Sequence, residues 1–232
     1  MALNFGEFCK VVPPTTCFEV HVAKDTFKFT AAHFVAYPGF RERLHGHNYR
    51  ISVRLLGTRT IGQDGYVLDY GDIKAVTKKV CKEMNEYFIC PMLSPVIQIT
   101  ELTDDKGTKS VQLICEDGTK FLFPKEDCAM LPIAHSTTEE LAIYMWGKIL
   151  DELDAEYLLK RGIHTMEITC AEAVGQEAVF RMKIPENVSK EEMKPLYDVK
   201  NYIASGDLIA RPCPTLKKQD SLSLRGCPHC GR

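Results

Sequence analysis

Two short stretches, Phe27-Lys28-Phe29-Thr30-Ala31-Ala32-His33 and His45-Gly46-His47-Asn48-Tyr49, limit what this chain can become. A strand sends alternate side chains to one face, so Phe27, Phe29, Ala31 and His33 align, as do His45, His47, Tyr49, Ile51, Val53 and Leu55. Three histidines therefore stand on strand faces that are otherwise apolar. Imidazole nitrogen is a common zinc ligand, and three histidines without a fourth protein ligand leave one coordination position open, as catalytic sites do. A lone histidine on such a face is more often a hydrogen-bonded core residue. Three in this spacing favour a metal, whereas His21, His135, His164 and His229 lack that context and read as structural or surface residues.

The flanking pattern predicts an α+β subunit. Residues 17–35 alternate as a strand, with Lys24-Asp25 as a turn candidate, and Tyr37-Pro38-Gly39-Phe40 breaks it before a second strand runs from His45 to Leu56. Ile73, Val76, Val80, Met84 and Phe88 recur at three and four, predicting a helix from residue 69 or 71 to about 88. Residues 89–135 differ in texture, with short apolar runs around Asp104-Asp105-Lys106-Gly107 and Glu116-Asp117-Gly118, and Asp-Gly between strand-like runs marks them as a hairpin-bearing insertion. Ser136-Thr137-Thr138-Glu139 fits a capping box opening a helix to about residue 159, with Leu141, Met145, Ile149 and Leu153 inside. Strands at 163–172 and 176–184 follow, and a short helix near 189–196. Four antiparallel strands with two helices on one face leave free edges, which an oligomeric barrel would close.

Composition narrows the partners. A chain with 45% hydrophobic and 26% charged residues suits one soluble domain, and a net charge of −2 gives no electrostatic case for nucleic acid or an anionic membrane. No apolar run approaches the roughly 20 residues that span a bilayer. The ten cysteines are scattered and no secretory signal precedes them, so they read as reduced thiols of a cytoplasmic protein. The expected organisation is a flexible lead at 1–16, a domain at 17–185 and a mostly irregular extension at 186–232.

Phe29-Thr30-Ala31-Ala32-His33, Leu44-His45-Gly46-His47-Asn48-Tyr49, Gly65-Tyr66-Val67-Leu68-Asp69-Tyr70, Ser136-Thr137-Thr138-Glu139-Glu140-Leu141-Ala142 and a late strand ending in Glu172 resemble the 6-pyruvoyltetrahydropterin synthase family over roughly 17–184. The resemblance implies the tunnelling fold, trimers or hexamers built around a barrel, Zn2+ at His33, His45 and His47, and 7,8-dihydroneopterin triphosphate or a close analogue as substrate. It also implies that Glu172 anchors the pterin. A carboxylate at the end of the face formed by Met166, Ile168 and Cys170 needs a partner, and the amino group and ring N–H of a pterin offer two donors side by side. A salt bridge at a strand end is the alternative.

Departures from the family pattern bear on the reaction. Pyruvoyl-forming members carry a catalytic cysteine between the first histidine and the His-Gly-His motif, and residues 34–44 contain none. Glu42 stands there instead, resembling a class of the family with glutamate in this gap, which implies a lyase yielding 6-hydroxymethyl-7,8-dihydropterin, a folate precursor. Formation of 6-pyruvoyltetrahydropterin or of a carboxy-tetrahydropterin, and a non-catalytic pterin-binding protein, are the alternatives. Glu42 could also be a loop salt-bridge partner of Arg41 or Arg43. Where the family often has Leu-Asp-His, this chain reads Met84-Asn85-Glu86, and neither an amide nor an unperturbed carboxylate replaces a histidine near neutral pH. Cys227-Pro228-His229-Cys230 resembles one knuckle of a zinc ribbon without a second, either shared between subunits or a free tail. Arg41, Arg43, Lys74 and Lys78 read as solvated.

Overall fold

In the computed structural model, which describes residues 17–57 and 61–203, the chain begins with β1 (Glu19–His33), β2 (Ala36–Tyr37), β3 (Phe40–Arg41), β4 (His45–Leu56) and α1 (Tyr70–Lys82). β5 (Tyr87–Pro91), β6 (Ile97–Thr103), β7 (Lys109–Cys115), β8 (Lys120–Pro124) and β9 (Cys128–Leu131) follow, then α2 (Thr138–Leu153), α3 (Ala155–Lys160), β10 (Thr165–Ala173), β11 (Gln176–Lys183) and α4 (Lys190–Met193). The expected lead at 1–16 and the Cys227-to-Cys230 motif lie outside the described residues.

The four expected antiparallel strands are adjacent, but the sheet has six, in the order β11-β10-β4-β1-β5-β9. The correction comes from the insertion. Its two ends, β5 and β9, join the main sheet in parallel, β5 beside β1 and β9 beside β5. Only its middle forms the separate meander β6-β7-β8. Both expected turns are present there, Asp104-Asp105-Lys106-Gly107 and Glu116-Asp117-Gly118, with Gly107 and Gly118 at φ of 81° and 79°.

Lys24-Asp25 is not a turn. β1 is continuous, and between the pairs Ala23↔Ser52 and Lys28↔Arg50 it advances five residues while β4 advances two. An odd surplus flips the alternation, so Val20 and Val22 before the bulge and Phe27 and Phe29 after it are all buried. That flip delivers His33 to the core face.

α1 ends at Lys82, short of the predicted 88. Glu86, at φ 69°, turns the chain into β5, and Met84 and Phe88 stay buried outside the helix, which is why the spacing continues past its end. The second helical stretch divides at Asp154, also at φ 69°, whose side chain accepts the Glu156 N–H. Leu141, Met145, Ile149 and Leu153 are buried as expected, and Trp146 donates to the Met166 carbonyl at 2.9 Å, tying α2 to β10.

The helices cover one face of the sheet. A second core of Phe34, Phe88, Val96, Val111, Leu113 and Cys128 joins the meander to β5 and to the chain just past β1. Beyond β11, Met193 and Val199 are buried, and Tyr197 packs where a Cβ on Gly147 of α2 would come within 2.4 Å of its ring. Among the described residues no helix is long and apolar enough to cross a membrane.

Candidate metal centre

β1 and β4 pair in a register that sets His33 opposite His45 and Ala31 opposite His47. Gly46, between the two β4 histidines, pairs with Ala32, and a Cβ there would lie 3.1 Å from the Ala31 carbonyl oxygen. Glycine therefore permits the close approach of the two strands at this point. The three rings lie 4.5, 5.1 and 4.8 Å apart, centroid to centroid. One nitrogen from each falls within 4.8 Å of the others. Nitrogens each about 2 Å from a tetrahedral zinc stand roughly 3.4 Å apart, so the rings would have to draw somewhat closer to hold one.

Each of two rings is oriented by a backbone carbonyl. His33 Nδ1 lies 2.9 Å from Ser136 O and His45 Nδ1 lies 2.7 Å from Arg43 O. A carbonyl only accepts, so both Nδ1 atoms carry a proton, and in the neutral ring it is Nε2 that keeps the free lone pair. His33 Nε2 is buried without a partner among the described residues, a costly state that a cation would relieve. Burial, followed by the neighbouring His45, lowers the His33 pKa to about 4, which keeps it the neutral base that ligation requires. His33 is buried, His47 half-buried and His45 exposed, so the cluster opens to one side.

Glu172 is beside this cluster. The β4–β10 ladder ends at Ala171↔Arg50, and the β10–β11 register shifts between Ala171 and Ala173, so Glu172 occupies a bulge. Its Oε2 lies 4.0 Å from His47 Nε2. It is half-buried, not sealed in the core. A cleft of about 930 Å³ opens on the sheet face away from the helices, reaching from Arg54 and Lys24 to His47 and Glu172.

Glu42 follows β3, three residues before His45. Its N–H donates to Val35 O at 2.9 Å and its Oε2 accepts the Val35 N–H at 3.0 Å, so it is pinned two residues beyond His33. Its carboxylate pairs with neither Arg41 nor Arg43 among the described residues, because Arg41 Nε goes to Asp117 Oδ2 at 2.8 Å. Tyr49, fully buried, carries a hydroxyl without a partner, and burial with nearby Cys170, Glu172 and Glu42 pushes its pKa up, which keeps it a phenol. Cys170 offers no replacement thiolate, since burial pushes its pKa up as well.

Several contributors were not apparent from sequence. The cap of α2 is Thr137, not Ser136, and Glu140 does not reach back to the cap. Ser136 instead donates to Phe34 O at 2.9 Å and presents its own carbonyl to His33. Glu140 accepts from the Ala134 and His135 N–H groups at 2.7 and 2.9 Å and meets His135 Nδ1 at 2.6 Å, holding the loop that carries that carbonyl. His164 is structural, bonded to Thr165 Oγ1 and Gly57 O. Asn85 Oδ1 accepts the Thr30 N–H at 3.0 Å and the Glu86 N–H donates to Thr30 O, so this pair secures the start of β5.

Comparison with known proteins gives a consistent set. A family model described as 6-pyruvoyl tetrahydropterin synthase matches residues 22–183. A Methanocaldococcus jannaschii protein described as a putative 6-carboxy-5,6,7,8-tetrahydropterin synthase is 32% identical over 154 residues, 66% of this chain and 89% of the relative. The crystal structure of 6-pyruvoyl tetrahydropterin synthase from Plasmodium vivax is 41% identical at a TM-score of 0.69, covering 73% of this chain and 99% of that one. The Plasmodium falciparum protein is 39% identical at 0.69, covering 73% and 100%. The P. vivax protein has also been solved with a glutamate, described as a catalytic residue, replaced by alanine or by cysteine.

Proposed function

This chain belongs to the 6-pyruvoyl tetrahydropterin synthase family, and from that premise we propose that it is a zinc-dependent lyase converting 7,8-dihydroneopterin triphosphate to 6-hydroxymethyl-7,8-dihydropterin. The observation that carries the reading is Glu42, a carboxylate fixed to the Val35 backbone at 3.0 Å in a loop that contains no cysteine. The catalytic glutamate named in the P. vivax relative supports it.

His33, His45 and His47 would hold the zinc, and the orphaned Nε2 of His33 fits that role. Bound there, zinc would supply a Lewis acid that polarises an oxygen of the substrate side chain. Glu172 receives the pterin, its two oxygens accepting the amino group and the ring N–H. Glu42 removes the proton of the second side-chain hydroxyl. The bond between the first and second side-chain carbons then breaks, its electron pair passing to the ring-conjugated fragment, while the other fragment leaves as an aldehyde still bearing the triphosphate. Glu42 returns its proton to the first carbon, giving the hydroxymethyl group.

Pyruvoyl formation needs a further acid–base pair. Asn85, bonded to Thr30, and Glu86, exposed, do not supply one. Glu42→Gln is the direct test, because glutamine retains an oxygen for the Val35 N–H but cannot take a proton. Loss of a general base typically costs 10²–10⁴-fold in rate. Hydroxymethyl product should fall by about that factor while zinc content and pterin binding stay near normal. Turnover as fast as in the unaltered protein would make Glu42 a loop residue and remove the support for this reaction.

A further inference from the structure

We propose that the β7–β8 turn of the insertion positions both Glu42 and His45, with Arg41 as the joint between them. The inference rests on the roles given above to Glu42 and His45. Arg41 Nε donates to Asp117 Oδ2 at 2.8 Å, Nη2 to Thr119 Oγ1 at 3.0 Å and Nη1 to the Glu42 carbonyl at 2.7 Å. Two ends of one guanidinium thus grip a turn 76 and 78 residues away, while the third holds the backbone of the residue proposed as base. The side chain is only 16% exposed, with its guanidinium carbon 5.9 and 5.7 Å from the rings of Phe34 and Phe121. Phe34 follows His33 directly. A planar five-donor fork suits three divergent acceptors, which a lysine ammonium on a flexible stem does not reproduce.

The grip has a second point. The Gly39 N–H donates to Glu116 Oε2 at 3.1 Å, so the turn holds the hairpin formed by β2 and β3 before the chain reaches Glu42. Asp117 is itself fixed, its Oδ1 accepting the Thr119 N–H at 2.9 Å. On the other side of residues 41–43, the Arg43 carbonyl orients His45 through Nδ1 at 2.7 Å and the Val35 backbone takes Glu42. A three-residue segment clamped at one end therefore sets the aim of a base and of a ligand imidazole at the other. Outer partners of this kind typically govern metal affinity by 10–100-fold.

A purely structural role for the turn is separable. Asp104 organises the neighbouring β6–β7 turn in the same manner, its Oδ1 accepting the Lys106 and Thr108 N–H groups at 2.9 and 2.8 Å, and it does not touch residues 39–43. Full-length Arg41→Lys, Asp117→Ala and Asp104→Ala are compared with the unaltered protein for Co2+ affinity by visible absorption, and for kcat and KM on 7,8-dihydroneopterin triphosphate. Arg41→Lys and Asp117→Ala should each weaken Co2+ binding about tenfold and lower kcat with little change in KM. Asp104→Ala should leave both readouts unchanged. Folded Arg41→Lys and Asp117→Ala proteins that bind Co2+ and turn over normally would overturn the inference, as would an equal loss in Asp104→Ala. If Asp117→Ala does not fold, Arg41→Lys carries the same two readouts. Should the unaltered protein bind Co2+ without consuming the pterin, the assigned reaction fails while the affinity comparison still decides the clamp.

Discussion

Ser136 and Thr137 are adjacent hydroxyls with separate tasks. Thr137 caps α2, accepting the Glu140 N–H at 3.4 Å, whereas Ser136, fully buried, bridges Phe34 and His33. Thr137→Ala should cost about 1 kcal/mol of stability, read by thermal unfolding, and leave zinc affinity unchanged. Ser136→Ala should do the reverse in kind, loosening the carbonyl that orients His33 and lowering zinc affinity severalfold. Equal effects of the two on affinity would contradict the division. In Ser136-Thr137-Thr138 any hydroxyl can serve as a cap, so the sequence left the register of the helix start open. The histidines were legible because strand alternation is rigid enough to align residues by parity. Their carbonyl partners, Ser136 and Arg43, act through the backbone, which carries no residue-type signal.

The insertion shows what element boundaries add. Its Asp- and Gly-bearing turns marked the hairpins, but nothing in residues 87–91 or 128–131 distinguishes a strand that closes a local hairpin from one that joins the main sheet in parallel. Similarly, the three-and-four spacing ran on to Phe88 because Met84 and Phe88, in the loop and strand after α1, are also buried, and burial, not helicity, is what the spacing reports. The chain leaves α1 through Glu86 in the left-handed region at φ 69°, a conformation that costs a non-glycine residue about 1 kcal/mol. Glu86→Gly should therefore be neutral to slightly stabilising in denaturant unfolding, the relief of strain offsetting the added chain entropy. Since Glu86 is exposed and outside the proposed chemistry, turnover should not change. A large loss of rate would restore a proton relay at this position.

Across the chain as folded, the sheet separates two environments. Its inner face is apolar, while its outer face carries Lys24, Arg50 and Arg54, with Glu167 nearly buried between Arg54 and Arg181. Charged side chains satisfy that face, so the sequence-based argument for association comes down to the edges. Among the described residues β11 pairs only with β10 and β9 only with β5, which leaves backbone donors and acceptors on both outer strands. Light scattering at micromolar concentration should give a trimer or hexamer, and a clean monomer would contradict the edge argument.

The reaction itself is decided by product identity. Incubating the zinc-loaded protein with 7,8-dihydroneopterin triphosphate and resolving the pterins by chromatography should give 6-hydroxymethyl-7,8-dihydropterin as the main product, as the role proposed for Glu42 predicts. A product consisting of 6-pyruvoyltetrahydropterin or a carboxy-tetrahydropterin, or no turnover of a substrate that binds, would contradict the account.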